Sequence, residues 1–375
     1  MTHLPNRCAV NARFLTQAQS GVQRYAFNLL SALDQKLGQG ALAEAIGPVT
    51  AYYPAGARLQ IRPDWRHIRL MPLSSPWPFA GHLWEQITLP RACKGAYLLN
   101  LTGSGPLSHA EQLLVIHDAN VWKLPEAFSR RYRTFHKTVR PCLARRARDL
   151  GTVSQFSASE LAEVLAQPEL RFRVIPNGSD HLPPPENTAR VLQEMGLVKN
   201  GFFLAVGNLS PNKNLARLIA AMAEAGHPVP LVVAGASAAG LATDTGPKGL
   251  CPPEHVRFLG RIDDATLAAL YAGARAFIWP PLREGFGIPP LEAMRFGTPV
   301  LSSNTTAMPE VLEHAPLYFN PEDSGAIAQT ITRFLRLSAK ARDAMVMEGH
   351  NRACRFTWEA SGAALADLLV KRVAA

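Results

Sequence analysis

The sequence predicts an α/β protein whose second half forms a doubly wound parallel sheet, in a chain long enough for two domains. From residue 202 onward, short apolar runs (202–206, 231–234, 256–259, 277–279, 300–302 and 317–319) alternate with longer stretches of helical period. Strands that alternate with helices favour a parallel sheet with helices on both faces. The run 202–206 is apolar throughout, as suits a strand buried on both faces of a parallel sheet. At 375 residues the chain is long enough for two cores of ordinary size.

Composition narrows the class. Hydrophobic residues make up 47% and charged residues 18%, which suits a folded chain and excludes an extended disordered one. The five cysteines (Cys8, Cys93, Cys142, Cys251, Cys354) are scattered, odd in number and never at metal-ligand spacing. This pattern points to a reducing compartment, with neither a disulfide frame nor a zinc site. The N-terminal residues lack the apolar stretch of a secretion signal, and no apolar run approaches the roughly 18 residues of a membrane span. The expected location is cytoplasmic, peripheral on the inner face of the membrane. Net charge is +10, and residues 1–180 hold 21 Lys/Arg against 12 Asp/Glu, whereas residues 181–375 hold 18 against 17. Any basic surface therefore belongs to the first half, where it suits nucleic acid, an anionic membrane or an acidic substrate.

Taken in order, residues 8–11 read as a strand, followed by a loop to Gly21 and a helix with apolar positions at Val22, Tyr25, Leu29 and Leu33. The segment 72–90 is rich in Pro and Trp; Trp77 and Trp84 either line an acceptor groove, touch lipid, or pack in the core. After a second loop, 102–106, residues 113–116 form a strand that ends in His117-Asp118. That position faces the crevice where open α/β sheets bind ligands. Residues 126–149 carry an apolar stripe (Phe128, Tyr132, Phe135, Val139, Leu143) with eight Lys/Arg at the other positions, among them Arg140. Such a helix suits an anionic membrane surface; no nucleic-acid recognition motif accompanies it. Pro141 is expected to kink or divide the helix. Ser157, with Glu160 three residues on, reads as a capping box. The Pro-rich piece through Pro185 reads as the linker.

The chemistry concentrates at Phe277–Met294, F-I-W-P-P-L-R-E-G-F-G-I-P-P-L-E-A-M. A strand runs into a Gly-containing loop and then a helix opening near Pro289, where proline's missing N–H has no partner to lose. A helix N-terminus offers free N–H groups to a phosphate or sugar oxygen, and glycines let the ligand approach the main chain. Glu284 and Glu292 stand at either end of that loop.

The spacing E-G-F-G-I-P-P-L-E resembles the paired-glutamate motif of the retaining GT4 glycosyltransferases, which have the GT-B fold of two Rossmann-like domains facing across a cleft. The likeness extends to V-G-N-L-S-P-N-K-N-L near 206, V-R-F-L-G near 256, V-I-H-D near 115 and S-G-V-Q-R-Y near 20, in the order that family places them. It implies an acceptor-binding domain (1–180), a nucleotide-sugar-binding domain (181–356) and a C-terminal helix (357–375) that packs back on the first domain. It further implies a hexosyltransferase using a nucleotide-diphosphate sugar, with GDP-mannose the first choice, and a lipid-linked saccharide acceptor in polysaccharide or lipopolysaccharide synthesis.

Residue by residue, the resemblance gives His117 a place beside the donor sugar and Lys213 the task of stabilising the departing diphosphate. Glu284 accepts from the donor sugar and Glu292 from the ribose. The N–H groups of Gly285, Phe286, Gly287 and Ile288 hold phosphate or sugar oxygens, Arg261 and Ile262 lie against the base, and Gly21 lies near the phosphates. Asn208 stands where the family usually has an arginine, and Arg283 or Arg24 are candidates to compensate. With Lys213 and a helix N-terminus to meet the diphosphate charge, no metal and no cofactor is expected. The rival readings are a sugar-nucleotide epimerase or hydrolase, and a catalytically silent membrane-associated scaffold.

Overall fold

In the computed structural model, which describes residues 7–75, 81–226, 228–235 and 255–373, the short apolar runs pair side by side. The chain divides into two compact units, Met1–Gly178 with Thr357–Ala375, and Ser179–Phe356.

The first unit contains β1 (Cys8–Asn11), β2 (Val49–Pro54), β3 (Ile68–Leu73), β4 (Tyr97–Asn100), β5 (Gln112–Val115), β6 (Asp149–Thr152) and β7 (Phe172–Val174) in the order β3-β2-β1-β4-β5-β6-β7. The second contains β8 (Phe203–Val206), β9 (Leu231–Ala234), β10 (Val256–Gly260), β11 (Ala276–Trp279), β12 (Val300–Ser303) and β13 (Leu317–Phe319) in the order β10-β9-β8-β11-β12-β13. All pairings are parallel. Strand order reverses between β1 and β4 in one sheet and between β8 and β11 in the other, and each reversal opens a crevice at the carboxyl ends of the strands. The loops that follow those four strands therefore hold the residues to watch.

The core of the second unit is formed by Phe203, Ala205, Leu218, Ile219, Val233 and Ile278 with Phe334 behind them, all fully buried. In the first unit Leu114, Ile116, Leu143, Leu150 and Leu161 pack together. The C-terminal helix Trp358–Val373 belongs to that first unit. It buries Trp358, Leu365, Leu368 and Leu369, and Arg372 meets Asp149 at 2.8 Å. Burial opposes the charge on Asp149, but bonds from Arg372 and Tyr97 outweigh it and hold the carboxyl below its usual range.

Several elements differ from the expectation. Strands β2, β3 and β4 carry no motif by which to read them, and register alone reveals them. The cap of helix Gln155–Leu165 is Ser154, whose extended backbone lets its Oγ accept from Ser157 N–H at 3.0 Å. Ser157 lies inside the helix and donates to the His117 carbonyl at 3.1 Å. Helix Arg130–Arg146 runs undivided through Pro141, because Leu143 and Ala144 beyond it are buried in the core and hold the last turn in place. Its inward face is His136, Arg140, Leu143 and Ala144, so Arg140 does not join the outward cations, and Tyr132 of the expected apolar stripe is 42% exposed. Trp84 is core, its Nε1–H donating to the Leu73 carbonyl at 3.2 Å. Trp77 and Cys251 lie outside the described residues.

Candidate functional site

In the second unit the loop after β8 turns through Asn208 and Ser210 and delivers Lys213 at the end of a short 3-10 turn, Pro211–Lys213. The loop after β11 delivers Glu284. Neighbouring strands thus bring the two together. Lys213 Nζ lies 2.7 Å from Glu284 Oε2 and 4.7 Å from the centroid of the Trp279 ring, so the ammonium is held by a carboxylate and an aromatic face. Both side chains of the pair are 21% exposed. Glu284 N–H donates to Thr306 Oγ1 at 3.2 Å, which fixes the backbone from which the carboxylate projects.

The Gly285–Ile288 stretch follows at once. Gly285, Phe286 and Gly287 are buried, and Phe286 packs edge-on to Phe356 at 5.4 Å. Gly287 caps the helix Ile288–Arg295 at φ +88°, and an added Cβ would meet Met308 Cε at 2.7 Å. Only glycine fits there without strain. The helix begins with Ile288-Pro289-Pro290, so two of its early positions have no N–H, and of the first three only Ile288 carries a donor.

Glu292 is on the inner side of that helix, 4% exposed. Tyr271 Oη–H donates to its Oε2 at 2.8 Å, and His181 Nε2 lies 3.0 Å from its Oε1. Neither neighbour belongs to a motif: Tyr271 lies inside helix Asp264–Gly273, and His181 sits in the Pro-rich piece. Arg261 is exposed and Ile262 half-buried, just past β10. Asn208 is exposed, and its Oδ1 accepts from Ser210 N–H at 3.2 Å.

In the first unit His117 stands beyond β5. Its Nε2–H donates to the Leu101 carbonyl at 2.9 Å, and its ring meets Tyr25 edge-on at 4.7 Å. Burial pushes its pKa down, and the carbonyl bond fixes the neutral tautomer that leaves Nδ1 as an acceptor. Asp118 Oδ1 accepts from Asn120 N–H at 2.9 Å and shapes the following turn. Gly21 opens helix Gly21–Leu37 on the exposed side of its loop, with no atom within 4 Å of an added Cβ. His117 and Asp118 line a cavity of about 390 Å³, in the size range of small-molecule sites, together with the loops after β1 and β4. Among the described residues, no three His, Cys, Asp or Glu side chains are grouped as a metal set.

Comparison with known proteins fits this arrangement. The family described as Glycosyl transferases group 1 matches residues 193–352, which include the Lys213 and Glu284 loops. The chain is similar to O-antigen chain mannosyltransferase B of Escherichia coli, 32% identical over 65% of this chain and 66% of that protein. It is also similar to the serotype-specific mannosyltransferase WbdA of Escherichia coli, 30% identical over 57% of this chain; the chain spans only 27% of WbdA's length. In fold it is similar to Anabaena HepE, crystallised with UDP and glucose, at a TM-score of 0.71 and 20% identity over 97% of this chain and 99% of that one. With two parallel-sheet units of the GT-B type and this family match across the second of them, the chain belongs to the group 1 glycosyltransferases.

Proposed function

We propose that the protein is a retaining hexosyltransferase of the GT4 type that moves mannose from GDP-mannose to a lipid-linked saccharide in polysaccharide assembly. The observation that carries this reading is the 2.7 Å pair of Lys213 and Glu284 beside a glycine loop that opens a helix. The mannosyltransferase names of the two Escherichia coli relatives support the choice of sugar.

In this reading the donor diphosphate draws Lys213 away from Glu284. The freed carboxylate accepts from hydroxyls of the sugar, while Lys213 meets the charge that grows on the leaving diphosphate. A cation that is more effective toward the transition state than the ground state lowers the barrier. Loop N–H groups of Gly285 to Ile288 supply the remaining donors, and the Asn208 amide lends a neutral one. Glu292 serves the ribose through its remaining lone pairs, since each carboxylate oxygen accepts more than one bond. Neutral His117 offers its Nδ1 to the reacting sugar. The charge on the diphosphate is met by protein groups, so transfer proceeds without a divalent cation or cofactor. The basic stretch 126–149 holds the enzyme at an anionic membrane face.

The test is transfer from a panel of nucleotide sugars to lipid-linked saccharides, with the product's anomeric configuration read by NMR. GDP-mannose is expected to be the preferred donor, with retained configuration, little donor hydrolysis without acceptor, and full activity in a chelator. Inverted product, chelator sensitivity, or rapid hydrolysis with no transfer would each remove the corresponding part of the reading.

A further inference from the structure

Arg140 is 8% exposed, lines the cavity beside His117, and has no carboxylate within ion-pair distance among the described residues. A guanidinium buried without a counter-ion is costly unless something else meets its charge. Its Nε–H donates to the Gly103 carbonyl at 3.2 Å, the Tyr132 hydroxyl is a second neighbour, and the Trp122 ring lies 6.0 Å away. These are neutral partners. They orient the fork without neutralising it.

The other groups of the wall divide into balanced and unbalanced. Arg13 Nε lies 3.1 Å from Oε1 of Glu85, a fully buried carboxylate that also takes His82 Nδ1 at 2.9 Å and N–H or O–H bonds from Asn11 and Ser104. Glu85 therefore offsets Arg13 and braces it at the cavity edge. Asp118, the carboxylate on the lining itself, is engaged with Asn120 N–H; it attracts Arg140 only from beyond ion-pair distance and offsets part of its charge. His136 Nδ1 is buried with no hydrogen-bond partner, and the ring is 4% exposed. Burial first, then the neighbouring Arg140, pushes its pKa down to about 3, so it contributes a neutral polar atom without a partner. Phe128 and Tyr132 stack at 5.4 Å and 9°, a flat wall suited to the apolar face of a sugar ring.

We propose that this cavity is an anion subsite for the acceptor, in which Arg140, on a lining it shares with Arg13, binds a phosphate or carboxylate group carried by the saccharide. The inference rests on the glycosyltransferase reading above and narrows its acceptor to an acidic class. A planar guanidinium matches both anions bidentately. Two sources share that chemistry, the phosphate through which a saccharide is attached to a lipid and an acidic substituent on the sugar itself.

The experiment uses the full chain carrying Lys213→Ala, so that the second unit contributes little phosphate binding, and titrates mannose 1-phosphate, mannuronate and methyl α-mannoside by calorimetry. At least one anionic sugar is expected to bind ten-fold or more tighter than the neutral one. Preference for mannose 1-phosphate assigns the phosphate source, and preference for mannuronate the acidic sugar. Arg140→Gln is expected to abolish the preference and leave methyl α-mannoside unchanged, while Arg140→Lys, which keeps the charge but loses the fork, weakens it at least three-fold. If Arg140→Gln does not fold, Arg140→Lys and Arg13→Gln decide. Equal binding of charged and neutral sugars, or a preference untouched by the arginine variants, overturns the subsite. GDP binding to the parent chain, measured separately, reports on the transferase reading, so the two fail independently.

Discussion

His136 shows how one buried side chain sets a pH limit on the whole fold. Its pKa lies near 3 in the native chain, lowered by burial and then by Arg140, against about 6.5 when unfolded. Between those values the unfolded chain binds more protons than the folded one, so stability falls as pH drops below about 6.5 and stops falling on this account near pH 3. His117, also lowered by burial, acts in the same direction. The urea midpoint is expected to fall from pH 7.5 to pH 5, and His136→Phe, which keeps a ring against Tyr132 and Phe135, is expected to shrink that fall. An unchanged pH profile in the variant would mean that His136 titrates normally. At this scale the sequence is partly legible. Glu284 and Lys213 stand out in the sequence through the motifs that contain them, and the fold sets their side chains 2.7 Å apart. Arg140, Glu85 and His181 do not stand out, because what distinguishes them is burial and the company they keep across the fold.

The strand–loop–helix element Ala276–Arg295 is legible for a related reason. An apolar run, a glycine that tolerates left-handed backbone and a helix that starts at proline each have a local cause, and here the local causes agree. The contrast between Gly287 and Gly21 tests that reading. Gly287→Ala forces a Cβ into φ +88° and against Met308, and is expected to destabilise the second unit by about 1–3 kcal/mol. Gly21→Ala meets open space at a helix start and should change stability by less than about 0.5 kcal/mol. Thermal melts of the two variants check both, and equal shifts would contradict the argument. Helix Arg130–Arg146 shows where element reading fails. Its sequence suits two faces turned by little more than one residue, and packing of Leu143 and Ala144 selects the one that takes Arg140 inward. Ser154 outcompetes Ser157 as a cap for a similar reason, since Ser157 is needed to donate to the His117 carbonyl.

Over the whole molecule, the alternation of apolar runs and helices makes both doubly wound sheets legible in kind. Edge strand β3 and its neighbour β2 are not, because Arg69 and Pro72 interrupt the one and Thr50 with Tyr52-Tyr53 the other, so neither carries a continuous apolar run. Charge is distributed just as unevenly in the sequence as the +9 and +1 halves require. Among the described residues, no helix is long and apolar enough to cross a membrane. Exposed Arg130, Arg131, Arg145, Arg146 and Arg148 each add about 1 kcal/mol of attraction if they reach an anionic lipid surface. The protein is expected to sediment with vesicles that contain an anionic phospholipid, to stay in solution with neutral ones, and to be released at 1 M salt, where the screening length is about 3 Å. Replacing the five arginines by glutamine should abolish sedimentation; its persistence would move the contact elsewhere.

The central claim is that Lys213, poised on Glu284 and Trp279, meets the diphosphate of a nucleotide sugar. Calorimetric titration of GDP and GDP-mannose into the parent chain and into Lys213→Ala, with kcat/KM measured on the same samples, tests it most directly. The parent is expected to bind both, the variant at least ten-fold more weakly, with a loss in kcat/KM on the order of 10²–10³ and an unchanged melting temperature. A variant that binds and transfers like the parent would contradict it.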